Sequence, residues 1–429
     1  MTQWWRKVEL DGGSVLAGAA CIVLCLLTLP WLLGASAQQP LRQLVHAERL
    51  FDGVQWRTGE SVLIEGGRVV RVGPRDSFVD ERAPVLDLGD ASVLPGFIEL
   101  HAHIRYQNVP ADVLLEHGIT TARDLGGPLH VLEEGPGRLR LLSTGPILTV
   151  PGGYPAVTMG EHGIARLIDS PEQARAAVQE AARGGVALIK IALEPGGEAG
   201  APWAMAHGHG APVHDVHAPE AQDPHAPVAH APQIVSTVAT GWPMPEPALV
   251  QAVVDEAHRL GLRVSAHVGE EQGASLALET GIDEWAHVPC APLSDEVIAR
   301  AADRQIAVIG TLDTLSRCAG TQHNATRLVA AGVALLYGAE VAHPDIPWGI
   351  DVQELQWMMA AGMTQDAVLQ AATSRAGAHL GIPLLGTLQA GAPADLIAIR
   401  GDVATNLKHL EYPELVIAGG QIVHNHFAP

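Results

Sequence analysis

Histidine is the residue type in this sequence that first suggests chemistry, since 21 of the 429 residues are histidines. His101 and His103 are separated by one alanine and directly follow the mostly apolar run 93–100. In a β-strand, side chains two residues apart point to the same face, so both imidazoles can reach one metal ion. Histidine is also the commonest metal-binding side chain in proteins. The pair therefore predicts a metal site at the end of a strand.

Two more histidines and a lysine lie in apolar segments of the same kind. His267 and His287 each lie at the end of a predicted apolar strand, and Lys190 lies inside another. An ammonium group is costly to bury unless an acid pairs with it. A single histidine at a strand end is usually structural, but four of them together with a lysine favour metal binding. Such ligands suit zinc, and also manganese, cobalt or iron.

The segments that carry these residues alternate between predicted strands and predicted helices. We predict eight strands, at Leu94–His101, Thr120–Asp124, Arg140–Thr144, Ala187–Ile191, Arg263–His267, Glu284–Val288, Ala307–Gly310 and Ala334–Gly338. The predicted helices between them include Pro171–Arg183, Pro247–Leu260, Ser294–Arg304 and Thr364–His379. This alternation indicates an α/β fold of the (β/α)8 TIM barrel type, whose active site lies at the carboxyl ends of its strands.

Both ends of the chain contain short predicted strands and tight turns instead of strand–helix pairs. We predict that residues 38–93 and 386–429 together form a small β-sandwich domain, and that residues 94–385 form the barrel. Residues 195–246 are rich in proline, alanine, glycine and histidine and contain no clear strand or helix. They predict a long loop inserted after the fourth barrel strand.

The order of these motifs resembles the amidohydrolase superfamily, in particular its imidazolonepropionase-like and Xaa-Pro dipeptidase-like branch. The similarity runs from about Leu44 to Val423 and rests on four short motifs and a tail, namely Pro95–His103, Ile189–Ile191, Ala266–Val268, Trp285–His287 and Gly386–Leu396. It implies hydrolysis of a C–N bond in a small amide, cyclic amide or dipeptide. Metal ions would activate the attacking water, and a carboxylate would carry its proton to the leaving nitrogen.

The same resemblance implies a ligand set for one or two divalent metal ions, of which we favour zinc. His101 and His103 would hold one ion, and His267 and His287 would hold the second. Lys190 would bridge the two ions as a carbamate, which turns a buried cation into an oxygen ligand. The resemblance leaves room for a homo-oligomer and gives no reason to expect nucleic acid as a partner.

The acid at the end of the eighth strand departs from the family pattern. Members of the family typically have Gly-Thr-Asp there, whereas this chain has Gly338-Ala339-Glu340. We interpret Glu340 as the catalytic base and as a metal ligand, with Asp345 as the alternative base. The additional methylene moves the oxygens by roughly 1 Å, and a misplacement of that size can cost ~100-fold in rate. A second hypothesis is therefore a catalytically impaired relative that binds metal outside the cytoplasm.

The inserted loop and two aromatic residues complete the set of candidates. The loop contains two acids, Asp215 and Asp223, and six histidines, namely His207, His209, His214, His217, His225 and His230. These histidines could capture zinc for the barrel site. An equally good interpretation is a solvated, low-complexity lid whose histidines bind no metal. Tyr154 and Trp242 are candidate residues of the substrate pocket.

Charge and the N-terminal segment limit the compartment and the partners. The formal net charge of −21 argues against non-specific binding of nucleic acid, which requires clustered lysine and arginine. Residues 1–37 resemble a signal peptide with an Ala-Ser-Ala cleavage site, or an N-terminal anchor through residues 14–34 if they remain uncleaved. We therefore expect an exported protein, periplasmic or extracellular. One bridge between Cys290 and Cys318 is compatible with the sequence, which does not itself indicate it.

Overall fold

The computed structural model describes residues 42–160, 163–204 and 241–427. The predicted signal or anchor segment and the six histidines of the inserted loop, from His207 to His230, lie outside these described residues. Among the residues that are described, no helix is long and apolar enough to span a bilayer.

The β-strands of the described residues are β1 (Arg42–His46), β2 (Arg49–Phe51), β3 (Trp56–Thr58), β4 (Glu60–Glu65), β5 (Arg68–Pro74), β6 (Val85–Asp87), β7 (Ala91–Pro95), β8 (Phe97–Ala102), β9 (Ile119–Asp124), β10 (Arg140–Ser143), β11 (Ile147–Thr149), β12 (Ala165–Leu167), β13 (Ile189–Leu193), β14 (Val264–Val268), β15 (Glu284–Trp285), β16 (Ala307–Ile309), β17 (Ala334–Leu336), β18 (Leu396–Arg400), β19 (Leu415–Ala418) and β20 (Gln421–Asn425). The α-helices are α1 (Ile104–Gln107), α2 (Ala111–Glu116), α3 (Ala156–Met159), α4 (Pro171–Arg183), α5 (Pro247–Arg259), α6 (Glu271–Thr280), α7 (Asp295–Asp303), α8 (Thr321–Ala330), α9 (Val352–Ala360), α10 (Gln365–Ala372) and α11 (Ser374–His379).

Eight parallel strands surround the larger apolar core. Strands β8, β9 and β10 form one sheet, and β13 to β17 follow one another in a second sheet whose far edge carries β11 and β12. Backbone hydrogen bonds connect these sheets at both edges: Ala187 N–H donates to Ser143 C=O at 2.8 Å at one edge, and Val341 N–H donates to His101 C=O at 3.0 Å at the other. The eight strands thus close into a ring, and consecutive helices from α4 to α10 pack against one another. The mixed α/β fold predicted from the sequence is confirmed.

Strands from the two ends of the chain lie side by side in a six-stranded sheet of order β20-β19-β18-β7-β2-β3. Strand β18 pairs antiparallel with β7, from Leu396 opposite Pro95 to Arg400 opposite Ala91. A four-stranded sheet of order β5-β4-β1-β6 shares an apolar core with it, to which Val62, Val93 and Leu396 contribute. The two sheets therefore have the arrangement of a β-sandwich.

Several predicted elements differ in detail from the observed ones. The helix predicted at Thr364–His379 is two helices, because Thr373 between them has φ −130° and ψ −97°, outside the helical region. The strand predicted at Leu94–His101 is interrupted, since β7 ends at Pro95 and β8 begins at Phe97. Strands β11 and β12 were not predicted, because strands of three residues are too short to show alternation.

Candidate metal centre

The four histidines predicted from the sequence lie together at the carboxyl ends of the barrel strands. His101 lies in β8, His103 directly follows that strand, His267 lies in β14, and His287 follows β15. Their imidazole rings form a continuous cluster. The ring centroids of His101 and His103 are 5.3 Å apart, those of His101 and His287 4.6 Å, and those of His267 and His287 4.5 Å.

Glu340 places its carboxylate between three of these rings. Its Oε1 lies 4.0 Å from His101 Nε2 and 3.8 Å from His103 Nε2, and its Oε2 lies 3.9 Å from His287 Nδ1. These separations are too long for hydrogen bonds. Donor atoms that each lie about 2 Å from a shared ion are roughly 3–4 Å apart, so the spacing fits a metal ion. The ligand atoms of His101, His287 and Glu340 all lie within 4.8 Å of one another.

Hydrogen bonds to the backbone orient two of the imidazoles. His101 Nδ1 lies 2.8 Å from the carbonyl oxygen of Ala286, and His103 Nδ1 lies 3.3 Å from that of Gly126. A carbonyl only accepts, so Nδ1 carries the proton in each ring and Nε2 keeps its lone pair. Burial also lowers the pKa of His267 to about 3 and that of His101 well below its ordinary value. Both rings are therefore neutral near pH 7, which is the form that binds metal.

Lys190 lies in β13 with its ammonium nitrogen fully buried. Its Nζ has no hydrogen-bond partner among the described residues, although buried amines are normally paired. Burial lowers the pKa of this amine to about 7. Glu284, the nearby acid, has its oxygens 2.7 and 2.9 Å from the guanidinium of Arg123. The ion pair considered for Lys190 is therefore absent from the described contacts, and the amine is in a state suited to carbamylation.

Glu99 connects strand β8, which carries His101, to the segment after β17 that carries Glu340. Its Oε1 accepts the backbone N–H of His101 at 2.7 Å, and its two oxygens accept the N–H of Ala339 at 3.1 Å each. Glu340 itself has a left-handed backbone with φ 63°, uncommon for a residue other than glycine. The alternative base, Asp345, is exposed and lies 3.6 Å from Arg317, so the structure does not bring it into the site.

Two buried acids near His267 are functional candidates that sequence reasoning missed. Glu194 Oε2 lies 3.2 Å from His267 Nε2, and Glu198 Oε2 accepts the indole N–H of Trp203 at 3.4 Å. Burial raises the pKa of Glu194 to about 7 and that of Glu198 to about 8. Their position in the sequence could have indicated a role in the site, because both acids follow the strand of Lys190 within a few residues.

An apolar cavity opens beside the histidines. Its polar wall contains His103, Glu340 and His343, and its other wall is lined by Tyr106, Ile147, Tyr154, Met159, Ile164 and Trp203. The structure thus places Tyr154 in the pocket lining. Trp242 stacks on the ring of Tyr154, with a centroid distance of 5.9 Å and an interplanar angle of 15°, and is not part of this lining. His343 and Trp203 were not predicted, because His343 lies in a loop and Trp203 in a 3-10 helix of three residues, which are too short to show periodicity.

A family model described as the amidohydrolase family matches residues 92–423. The chain belongs to the amidohydrolase family. An uncharacterized protein of Mycobacterium tuberculosis is 25% identical to this amidohydrolase over 361 residues, which cover 77% of this chain and 84% of the relative. Ochratoxinase of Aspergillus niger is 28% identical over 191 residues, 40% of this chain and 39% of that protein.

Solved structures agree with this assignment. The crystal structure of A. niger ochratoxinase has a TM-score of 0.69 and 18% identity to this amidohydrolase, and the match covers 90% of this chain and 96% of that one. A Xaa-Pro dipeptidase with bound methionine has a TM-score of 0.65 and 19% identity, with 90% and 100% covered. At these identities the likeness establishes the fold. The predicted superfamily is confirmed, and these neighbours are consistent with the predicted branch.

A disulfide bond joins two loops of the amidohydrolase beside this site. Cys290 and Cys318 have their Cα atoms 5.0 Å apart. Both cysteines pack in the apolar cluster that also contains Tyr154 and Trp203, so the bridge supports the pocket wall. Structural disulfides are typical of oxidising compartments, which agrees with the predicted export.

Proposed function

We propose that this amidohydrolase is a metal-dependent enzyme that hydrolyses the C–N bond of a small amide with an aromatic or other apolar group near that bond. The observation that carries the proposal is the placement of the Glu340 carboxylate, 3.8 to 4.0 Å from three imidazoles at the edge of an apolar cavity. Dipeptides and cyclic amides belong to this substrate class.

The described residues fit one or two divalent ions. His101, His103 and Glu340 would hold one ion, and His267 and His287 would hold the second. Lys190 would supply a further oxygen ligand once its neutral amine has added to carbon dioxide, a reaction that forms a carbamate and releases a proton. A bound divalent ion, of which we favour zinc, would polarise the substrate carbonyl and ease the ionisation of water.

Glu340 would move the proton in this reaction. Burial alone would raise its pKa, but His103 and His343 outweigh burial and hold that pKa below its ordinary value. The group is therefore an anion near pH 7 and can accept the proton of the attacking water. As hydroxyl adds to the carbonyl carbon and the C–N bond breaks, Glu340 would deliver this proton to the leaving nitrogen.

The cavity supports the apolar part of the proposed substrate. Its aromatic and aliphatic wall offers Tyr106, Tyr154 and Trp203 for stacking, and no lysine or arginine is among its described lining residues. One structural neighbour is named a Xaa-Pro dipeptidase, and the bond that joins a dipeptide is an amide. We also propose that this activity lies outside the cytoplasm, because the predicted export and the disulfide both agree with that location.

The proposal is tested by metal analysis together with a panel of amide substrates. We expect one or two metal ions per wild-type chain and turnover of amides that carry aromatic groups. His101→Ala and Lys190→Ala should lose metal and activity, whereas Glu340→Gln should keep its fold and lose turnover by roughly 100-fold or more. Asp345→Asn is the matched control and should keep full turnover.

Two results would contradict this proposal. Full metal content in both His101→Ala and Lys190→Ala would remove the ligand assignment. Metal binding without turnover of any amide would favour the alternative, a catalytically impaired relative that binds metal outside the cytoplasm.

A further inference from the structure

The carboxylate of Glu194 contacts His267, which is one of the predicted metal ligands. Its Oε2 lies 3.2 Å from His267 Nε2, and its Oε1 accepts the backbone N–H of Gly196 at 2.7 Å. Glu194 and His267 are both buried, with 1% and 2% of their surfaces exposed. The carboxylate therefore has one oxygen held by its own loop and the other directed at the imidazole.

The contact between Glu194 and His267 is possible because Gly269, beside it, has no side chain. A Cβ atom placed on Gly269 would lie 2.3 Å from Glu194 Oε2 and 2.8 Å from Glu198 Oε1, far closer than carbon and oxygen approach. Because residue 269 is glycine, both carboxyl groups can lie beside the end of β14, two residues after His267. The contact thus depends on side chains and backbone from two neighbouring barrel strands.

A carboxylate at one imidazole nitrogen determines what the other nitrogen can do. When a carboxylate accepts the proton of Nε2, Nδ1 has a lone pair and can bind a metal ion. Histidines that bind metals commonly donate their second N–H to a carboxylate or a carbonyl, which fixes the tautomer and the ring orientation. Backbone carbonyls do this for His101 and His103, and Glu194 is the corresponding group at His267.

We propose that Glu194 is a positioning residue that orients His267 toward the second metal ion. This inference rests on the proposed function, because it requires the ion that His267 and His287 would hold. Glu198 contacts the indole of Trp203 and also hydrogen-bonds to Glu194, so a change of Glu198 would disturb Glu194 as well. The matched control is Glu256, a buried acid of α5 whose carboxylate pairs with Arg259.

The test is a cobalt titration of metal-free protein, followed by the absorption spectrum and by calorimetry. Wild type should bind two ions. Glu194→Ala should bind the second ion 10- to 100-fold more weakly, the usual effect of removing such a partner, with the first ion unchanged. Glu194→Gln should lose less, because its amide oxygen still accepts the Nε2 proton, and this near-isosteric change guards against misfolding. Glu256→Gln should bind both ions as the wild type does.

The outcomes separate this inference from the proposed function. Wild-type affinity and an unchanged cobalt spectrum in Glu194→Ala would overturn the positioning role while leaving the enzyme intact. Equal weakening in Glu194→Gln and Glu256→Gln would also overturn it, since that pattern indicates a general loss of stability instead of the loss of one contact. A wild-type protein that binds no ion would overturn the proposed function itself.

Discussion

At the scale of single residues, this protein buries several ionisable groups that have atoms without hydrogen-bond partners among the described residues. Lys190 Nζ, one oxygen of Asp351 and one oxygen of Glu354 have no hydrogen-bond partner among the described residues. Such groups are costly in their charged forms and tend to become neutral. For Lys190 the neutral form serves the proposed chemistry. For the two acids, the neutral form makes the stability of the folded protein depend on pH.

Asp351 provides a pH-dependent test of this burial. It begins helix α9, where its Oδ1 accepts the N–H of Gln353 at 2.9 Å, and burial followed by nearby Asp313 raises its pKa to about 7. The folded protein therefore binds this proton more tightly than the unfolded chain does. The stability contributed by Asp351 is full below pH ~4, the unfolded pKa, and declines as the pH rises toward about 7.

Asp351→Asn keeps the helix cap and removes the titration. We expect its free energy of unfolding to exceed that of the wild type by a margin that grows between pH 5 and pH 8, to the order of a few kcal/mol. Urea unfolding at the two pH values measures this difference. The exposed residue Asp112 supplies the control, since Asp112→Asn should show no such trend. An equal difference at both pH values would mean that Asp351 is not protonated in the folded state.

At the scale of elements, a buried ion pair joins two barrel strands, β9 and β15, that do not pair with each other. Arg123 in β9 donates to both oxygens of Glu284 in β15, at 2.7 and 2.9 Å, and its Nε donates to the carbonyl of Leu100 at 2.8 Å. Ser265 in β14 adds a hydrogen bond of 2.6 Å to Glu284. These contacts fix the strands that carry or precede His101, His267 and His287.

Removing Glu284 should be far more costly than removing a surface acid. Glu284→Ala leaves the Arg123 guanidinium buried without a counter-charge, so we expect a loss of ~3–5 kcal/mol in the free energy of unfolding. Glu279→Ala breaks the exposed pair with Arg300 and should cost about 0–1 kcal/mol. Denaturant titration of both variants at pH 7 provides the comparison. Similar losses in the two variants would show that burial of the first pair has little energetic effect.

The sequence predicted those parts of the fold and site that depend on local pattern. The strand-end positions of His101 and His267 and the amphipathic helix α4 could be predicted, because periodicity and strand ends are local features. The roles of Glu194 and Trp203 depend on contacts between different strands and loops, and no local sequence pattern indicates such contacts. The division of the predicted helix at Thr373 arises from a single backbone conformation that composition does not reveal.

At the scale of the whole molecule, one sheet belongs to two apolar cores. Strand β18 alternates between them: Leu396 and Ala398 lie in the core between the two sandwich sheets, whereas Ile397 and Ile399 lie in the barrel core. This alternation follows from the two-residue repeat of a strand. The shared sheet couples the chain ends to the barrel, so the two cores should unfold together.

Leu396→Ala tests the coupling between the two cores, because Leu396 lies in the sandwich core and not at the metal centre. The substitution leaves a cavity in the sandwich core, and we expect it to cost ~2–5 kcal/mol in the free energy of unfolding. If the cores are coupled, the denaturant midpoint should shift equally for hydrogen exchange of the sandwich strands β1 and β4 and for release of bound cobalt, which reports on the barrel. The exposed strand residue Val70 is the control, because Val70→Ala should change either midpoint by less than about 0.5 kcal/mol. An exchange midpoint of β1 and β4 that shifts while cobalt release stays at the wild-type midpoint would show that the sandwich unfolds independently of the barrel.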